Sequence, residues 1–303
     1  FCDSLKNTDG IEPPPNGLNK YNNNMMYTRR KFLSTTALAG SALAISSKLE
    51  FSNTKERSLG LQLYTFREQM QSNPLKTLEE IASLGIKKIE SAKSQKGHYY
   101  GLKSQEMQTA CNDLGMQLVS GHVHLDDDFD RTLEEAVEAQ QAFLICSSLP
   151  TKGQSLDNYK RVAEAFNKAG EKCIAAGLRF GYHNHEYEFE SDENGTVLYD
   201  LIMDETDANL VHMELDLGWV IIAKKNPLDY FKKYPGRFPL WHLKDMDLVK
   251  KQSTEFGKGG LNIREMLAHQ NDSGVEHIFI EQEEYATTPF ESIRYNMDYM
   301  KTL

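Results

Sequence analysis

From Leu59 onward the chain alternates between short runs rich in apolar and β-branched residues and longer segments whose apolar positions recur at helical spacing. Eight short runs, over 59–66, 87–92, 117–124, 142–148, 179–186, 211–217, 239–245 and 277–283, read as strands. Amphipathic segments over 74–84, 103–114, 130–140, 155–176, 196–204, 227–233, 262–270 and 288–302 follow them and read as helices. Asn73-Pro74 and Asn226-Pro227 each set a capping residue ahead of a proline at a first helical position, and Gly85, Gly115 and Gly177 stand where helices stop. Strands and helices in this alternation build a parallel sheet, and eight such units in about 245 residues are the usual size of a single (β/α)8 TIM barrel, an α/β fold. An open doubly wound sheet is the alternative, but no Gly-x-Gly-x-x-Gly follows any of the strands.

Ahead of the first run lies a segment of another kind. Met26-Tyr27-Thr28-Arg29-Arg30-Lys31-Phe32-Leu33-Ser34 leads into the apolar-rich stretch 37–45, giving a charged start, a short apolar core and a small-residue end. It resembles a twin-arginine export signal, which implies a protein that folds in the reducing cytoplasm and works in the periplasm or otherwise outside it. Residues 1–44 therefore read as leader and signal, and 45–303 as the barrel. The apolar stretch falls well short of the roughly 18 residues of a membrane span, so no stable membrane anchor is expected. The net charge of −10 lacks the basic stripe that a phosphate backbone requires, which turns the search for partners from nucleic acid to a small molecule. Cys111, Cys146 and Cys173 form no Cys-x-x-Cys pair and read as free thiols.

In a barrel the chemistry sits at the C-terminal ends of the strands. His122 and His124 fall there in the third run, His183 and His185 in the fifth, and His242 in the seventh. Carboxylates join them as Glu90 in the second run, Asp216 in the sixth, with Glu214 on its face, and Glu281 and Glu283 in the eighth. Residues two apart on a strand share a face, and a charge placed after Ile278-Phe279-Ile280 or Leu240-Trp241 is costly to bury unless it is paired or bound to a metal. His183, Asp216, His242 and Glu281, one from each of the last four strands, would surround a single point at the mouth. Mixed imidazole and carboxylate donors suit one divalent metal ion, such as Mn, Co, Zn or Mg. Glu90, His122, His124, Trp219 and Lys244 are the candidate substrate contacts, with Lys244 on the face of His242 and Trp219 offering a ring on which a sugar can stack. Asp126-Asp127-Asp128 reads as a solvated loop, and 257–260 as a flexible glycine-rich loop over the site.

Tyr182-His183-Asn184-His185-Glu186, Glu214-Leu215-Asp216-Leu217-Gly218-Trp219, His242-Leu243-Lys244-Asp245, Phe256-Gly257-Lys258-Gly259-Gly260 and Ile280-Glu281 together resemble the xylose isomerase-like barrel superfamily of sugar isomerases and epimerases. The resemblance covers nearly all of 59–302. It implies a metal set of Glu, Asp, His and Glu, in which Asp216, His242 and Glu281 carry over directly and the first glutamate falls on His183. That departure removes one of the two carboxylates that family epimerases use as opposed acid and base, leaving His185 or Glu186 to carry the second proton. The implied activity is a metal-dependent isomerase or epimerase, or a related β-eliminating lyase, acting on a keto sugar or keto-glycoside through an enediolate. Glu281 or His185 would be the base and Lys244 would assist at a substrate oxygen. Two rivals stand beside it: a non-catalytic exported sugar-binding barrel, and a metal-dependent phosphoesterase, which would need a richer metal cluster and a basic groove.

Overall fold

The computed structural model describes residues 59–303, so the export-signal reading lies outside the described residues. Eight parallel strands close into a barrel: β1 (Gly60–Gln62), β2 (Lys88–Ala92), β3 (Gln117–Val123), β4 (Phe143–Cys146), β5 (Arg179–His183), β6 (Val211–Asp216), β7 (Leu240–Leu243) and, after a two-stranded antiparallel ribbon of β8 (Asp245–Asp247) and β9 (Gln252–Thr254), β10 (His277–Ile280). β10 pairs with β1 and β7, which closes the ring. Helices pack outside the strands in the predicted positions, the longest over Leu156–Ala175. Ser155, Asn73, Asn226 and Thr288 cap four of them by accepting a first-turn N–H on the side chain.

The alternation of strand side chains splits the core in two. A large apolar cluster fills the space between strands and helices. A smaller one of Val119, Phe143, Ile145, Leu240 and Phe279 forms a second layer. Leu240 and Phe279 each precede by two residues a predicted site residue, His242 and Glu281, so the small cluster is the floor on which the polar residues of the mouth stand.

The structure departs from the sequence reading where strands stop. The first run is strand only to Gln62, whose side chain accepts the Tyr64 N–H and turns the chain into a 3-10 helix, Leu63–Phe66, and then a helix over Arg67–Ser72. The fifth run ends at His183, so His185 and Glu186 lie beyond the pleat and strand alternation does not govern them. The sixth ends at Asp216, whose carboxylate caps a short helix over Leu217–Ile222 by accepting the Trp219 N–H at 2.9 Å. That helix lies close against the chain at Lys244: a Cβ on Gly218 would stand 2.7 Å from the Lys244 carbonyl oxygen.

The glycine-rich segment is also a correction. Rather than a flexible loop, it is wound around the buried Asp245 carboxylate, which accepts N–H groups from Gly257 (2.8 Å), Gly259 (3.0 Å) and Leu261 (2.9 Å) as well as from Met246. A side chain at 259 would meet Asp245 Oδ1 at 2.2 Å, so the glycine is what allows the wrap. Asp245→Ala leaves these donors without their acceptor. It is expected to destabilise the fold by about 3 kcal/mol, given 1–3 kcal/mol for each buried group left unsatisfied, with Asp245→Asn costing less because one oxygen still accepts. Urea unfolding of both variants measures this.

Candidate metal and sugar site at the barrel mouth

The C-terminal ends of six strands bring their polar side chains into one buried cluster. β7 supplies His242, β5 His183, β3 His122, β2 Glu90, β6 Glu214 and Asp216, and Glu281 follows β10. Among the described residues, donor atoms of His183, Asp216, His242 and Glu281 lie within 4.8 Å of one another, and so do those of His122, His183, Glu214 and His242. The four side chains expected to converge at the mouth do converge. The deeper group, with Glu214 at its centre, was not read from the sequence as a ligand set. Its signal was present in Glu214, which shares the inward face with Asp216 one pleat further down.

The two groups form layers joined by two imidazoles. In the deep layer Glu214 Oε2 lies 2.8 Å from His122 Nε2, 3.1 Å from His242 Nε2 and 3.3 Å from His183 Nδ1. Glu90 Oε1 lies 2.6 Å from His242 Nε2 and accepts from Gln62 Nε2 at 2.8 Å, while Glu90 Oε2 accepts from Ser120 Oγ at 2.6 Å. In the outer layer the other nitrogens face the mouth: His242 Nδ1 is 3.0 Å from Glu281 Oε2, and His183 Nε2 is 3.9 Å from Asp216 Oδ2. A carboxylate hydrogen-bonded behind an imidazole fixes ring orientation and tautomer, and Glu90 stands in that relation to His242, while His183 Nδ1 has no hydrogen bond.

The electrostatics follow from burying so many charges together. Burial opposes charge on His122, but the field of Glu90 and the hydrogen bonds to Glu214 and Glu90 outweigh it and push its pKa up to about 9. Burial likewise opposes charge on His242, and Glu214 and Glu281 hold it well above the imidazole range. His183 goes the other way, because burial is reinforced by His242 and His122 and keeps its ring neutral. Burial would raise Glu90 and Glu281, yet Glu90 is pulled down by His122 and His242, and Glu281 by Lys244 and His242. Glu214 is raised, by burial and then by Glu90.

Lys244 lies inside the cluster, 1% exposed, with Nζ 2.7 Å from Glu281 Oε2, 2.7 Å from Glu283 Oε1 and 3.2 Å from Asp216 Oδ2. A positive charge is thus already stabilised between two of the candidate ligands. Asp216 spends Oδ1 on its helix cap, and Oδ2, directed at the cluster, has no hydrogen bond. The donor set fits a divalent ion in number and chemistry: two imidazoles, that of His183 kept neutral, the Glu281 carboxylate held ionised, and an Asp216 oxygen without a hydrogen bond.

At the rim, Trp219 is half-buried, with the Lys244 ammonium 5.0 Å from its ring centroid and the His185 ring 6.0 Å away. His185 stacks on Tyr187 at 5.3 Å, and its backbone N–H is held by the buried Glu188 at 2.9 Å. Glu90, a candidate substrate contact, is fully buried in the cluster, where it is bonded to His242, Gln62 and Ser120. His122 touches the carboxylates of the deep layer, which makes it part of the supporting shell. His124 stands apart. β3 ends before it, and its exposed ring lines a cavity of ≈ 380 Å³ with Lys93, His98 and Arg131, between the segments that follow β2 and β3. Asp126 to Asp128 are exposed, as expected, and Asp126 pairs with Lys93. Cys111, Cys146 and Cys173 are free and buried, and burial pushes each thiol up to about 12.

Fold and centre together define the class: a parallel (β/α)8 barrel whose mouth carries a buried imidazole and carboxylate cluster suited to a divalent ion. The chain belongs to the Xylose isomerase-like TIM barrel family, which matches residues 78–303. Two inosose dehydratases are among its relatives. That of Clostridium botulinum is 31% identical over 108 residues, 34% of this chain and 35% of the relative; that of Bacillus anthracis is 27% identical over 155 residues, 45% and 51%. The matched segment thus spans about a third to a half of the length of these curated relatives. Among solved structures, a sugar phosphate isomerase/epimerase from Parabacteroides distasonis aligns with TM-score 0.72 and 25% identity over 81% of this chain and 98% of the other. A 3-keto-D-glucoside 4-epimerase from E. coli aligns with TM-score 0.64 and 14% identity over 81% and 99%, which speaks for the fold alone. No helix among the described residues is long and apolar enough to cross a membrane.

The charge balance makes a pH prediction for protein stripped of metal. A histidine raised from 6.5 to about 9 contributes stability that is complete below pH 6.5 and is lost as pH rises through 9. The Tm of the stripped protein is expected to fall across that window. Metal affinity is expected to rise with pH, because His242, held protonated by Glu214 and Glu281, must shed its proton to bind. Thermal unfolding and metal titration at pH 6.5, 7.5 and 8.5 measure both.

Proposed function

We propose that this protein is a metal-dependent enzyme acting on a keto sugar or keto-glycoside, abstracting the proton next to the carbonyl to form an enediolate. The observation that carries the reading is the convergence of His183, Asp216, His242 and Glu281, all buried, around one point at the barrel mouth. A divalent ion held there would supply Lewis-acid polarisation of the substrate's keto group. The inosose dehydratases it resembles support that substrate class.

The chain's own residues divide the remaining work. Glu281, kept ionised by Lys244 and His242 against the effect of burial, is the base on the β10 side. His185, beyond β5 and three places round the ring from β10, carries the second proton where the family set has a carboxylate. A proton returned to the same carbon from the other face gives epimerisation, and to the neighbouring carbon isomerisation. Given instead to a departing oxygen, it gives β-elimination. Lys244, with Glu283 as a further partner, donates to a substrate oxygen, and Trp219 offers the ring against which the sugar packs. The twin-arginine-type segment within 1–44 places this work outside the cytoplasm, a proposal that rests on the sequence.

The test is solvent deuterium exchange into an inosose and into a 3-keto-D-glucoside by the isolated full chain. Chelation is expected to abolish exchange and a divalent ion to restore it. His183→Ala is expected to lose metal occupancy by elemental analysis. His185→Gln is expected to retain occupancy while turnover falls by about 10² to 10⁴, the usual contribution of a general acid or base. Exchange that survives chelation overturns the metal-dependent reading.

A further inference from the structure

Glu283 is the carboxylate through which the buried cluster reaches solvent. It follows β10 by three residues, and its Oε1 lies 2.7 Å from Lys244 Nζ. The same ammonium is 2.7 Å from Glu281 Oε2, 3.2 Å from Asp216 Oδ2 and 5.0 Å from the centroid of the Trp219 ring, so Glu283 is one contact away from two candidate ligands and from the rim. The side chains of Asp216, Lys244 and Glu281 are 0%, 1% and 5% exposed, whereas that of Glu283 is 28% exposed. Among the described residues only Lys244 bonds its carboxylate, through Oε1, which leaves Oε2 without a partner. Asp216 and Glu281 already balance the charge of the ammonium, so a neutral oxygen would serve as its third acceptor. A third carboxylate instead adds negative charge where two already stand, which stability alone does not call for.

The chain holds this residue from behind. The Glu283 N–H donates to the Oγ of Ser253, in β9 of the ribbon, at 2.7 Å, and its carbonyl oxygen accepts from Arg67 Nη2 at 3.1 Å. Arg67 Nη1 in turn donates to Tyr64 O at 3.2 Å and to Tyr285 Oη at 3.1 Å, which ties the segments after β1 and β10 together. A backbone fixed on both sides, with one carboxylate oxygen left over, is a preorganised acceptor. An ionised carboxylate only accepts, so the group that completes it must donate. Both cations in contact with Glu283 are engaged, Lys244 among carboxylates and Arg67 on two carbonyls and a phenol. A phosphate arriving here would meet negative charge, whereas a sugar hydroxyl would find an acceptor.

We propose that Glu283 is a specificity residue that accepts a hydrogen bond from a hydroxyl of an uncharged sugar and disfavours a phosphorylated one. The inference rests on the proposed function and narrows its substrate class to keto sugars and keto-glycosides without phosphate. The hydroxyl takes the oxygen that Lys244 leaves free, so both contacts stand at once, and no covalent step is assigned to Glu283. Discrimination then has two sources: a hydrogen bond gained with the hydroxyl, and like charges set against each other with the phosphate.

Wild-type protein and Glu283→Gln test it in the exchange assay, on whichever of an inosose and a 3-keto-D-glucoside the wild type exchanges and on the phosphate monoester of the same compound. For the wild type, KM for the ester is expected to exceed that for the uncharged compound by about tenfold or more. In Glu283→Gln, whose amide oxygen still accepts from Lys244, KM for the uncharged compound is expected to rise about tenfold or more, the size of one hydrogen bond to a charged group, with kcat altered less than about threefold. The preference against the ester is expected to shrink in the variant, and metal occupancy to stay that of the wild type. A wild type that takes the ester as readily as the uncharged compound overturns the inference, and needs no variant to do so. An unchanged KM in the variant, or a loss of metal occupancy, overturns it as well, because Glu283 then serves Lys244 or the centre alone. The functional reading stands in each of these cases. Wild-type protein that exchanges neither an inosose nor a 3-keto-D-glucoside overturns the functional reading, and this inference with it.

Discussion

The rest of the structure depends on a balance of buried charge. Glu90, Glu214, Asp216 and Glu281 are brought inside the barrel, and His122, His242 and Lys244 are brought in against them. Each ion removed from water costs several kcal/mol, and attraction between partners offsets that only where geometry is close and the remaining lone pairs are bonded. Distances of 2.6 to 3.3 Å through the deep layer give the close geometry, and Gln62 and Ser120 complete Glu90, while Glu214 Oε1 and Asp216 Oδ2 are left without a hydrogen bond. No one strand could hold its charge alone, because each partner comes from a different strand. The closed barrel is what makes the cluster possible, and a barrel needing only stability would fill this layer with the apolar side chains found just beneath it.

The same balance explains which parts of the site were legible in the sequence. Strand ends are easy to see when a charge follows an apolar run, and His242, Glu281 and Asp216 announce themselves in that way. Knowing that a parallel barrel gathers its strand ends at one mouth was then enough to bring His183, Asp216, His242 and Glu281 together. Pairing within the cluster was not legible, since it depends on rotamers and stagger between strands. Glu214 therefore looked like a neighbour of Asp216 rather than the carboxylate shared by three imidazoles. His124 failed for the complementary reason: alternation assigns it the face of His122 only while the strand lasts, and β3 ends one residue earlier.

Short polar contacts also reshaped the loops in ways that composition hides. A run of glycines carries no sign of whether it is free or wrapped around an anion. Only Asp245, a dozen and more residues upstream, decides between these by gathering the N–H groups of 257, 259 and 261. Asp216 shows the economy of the arrangement most clearly. One oxygen starts the helix that carries Trp219, and the other belongs to the cluster, so the position of a rim residue and the position of a candidate ligand are set by the same carboxylate.

His183 is where the chain parts from the pattern its motifs imply, and the layering gives that change a physical meaning. A glutamate there would add a charge to a site already holding four carboxylates, whereas a neutral imidazole adds none and still presents Nε2 to the mouth. Its Nδ1 lies 3.3 Å from Glu214 Oε2 without a hydrogen bond. The gain is a less anionic centre. The loss is a proton carrier on the β5 side. Since epimerisation, isomerisation and elimination diverge only after the first proton has left, the residue that replaces that carrier decides among them. On the proposed function that role falls to His185, stacked on the Tyr187 ring, with its N–H held by Glu188 and its ring 6.0 Å from that of Trp219.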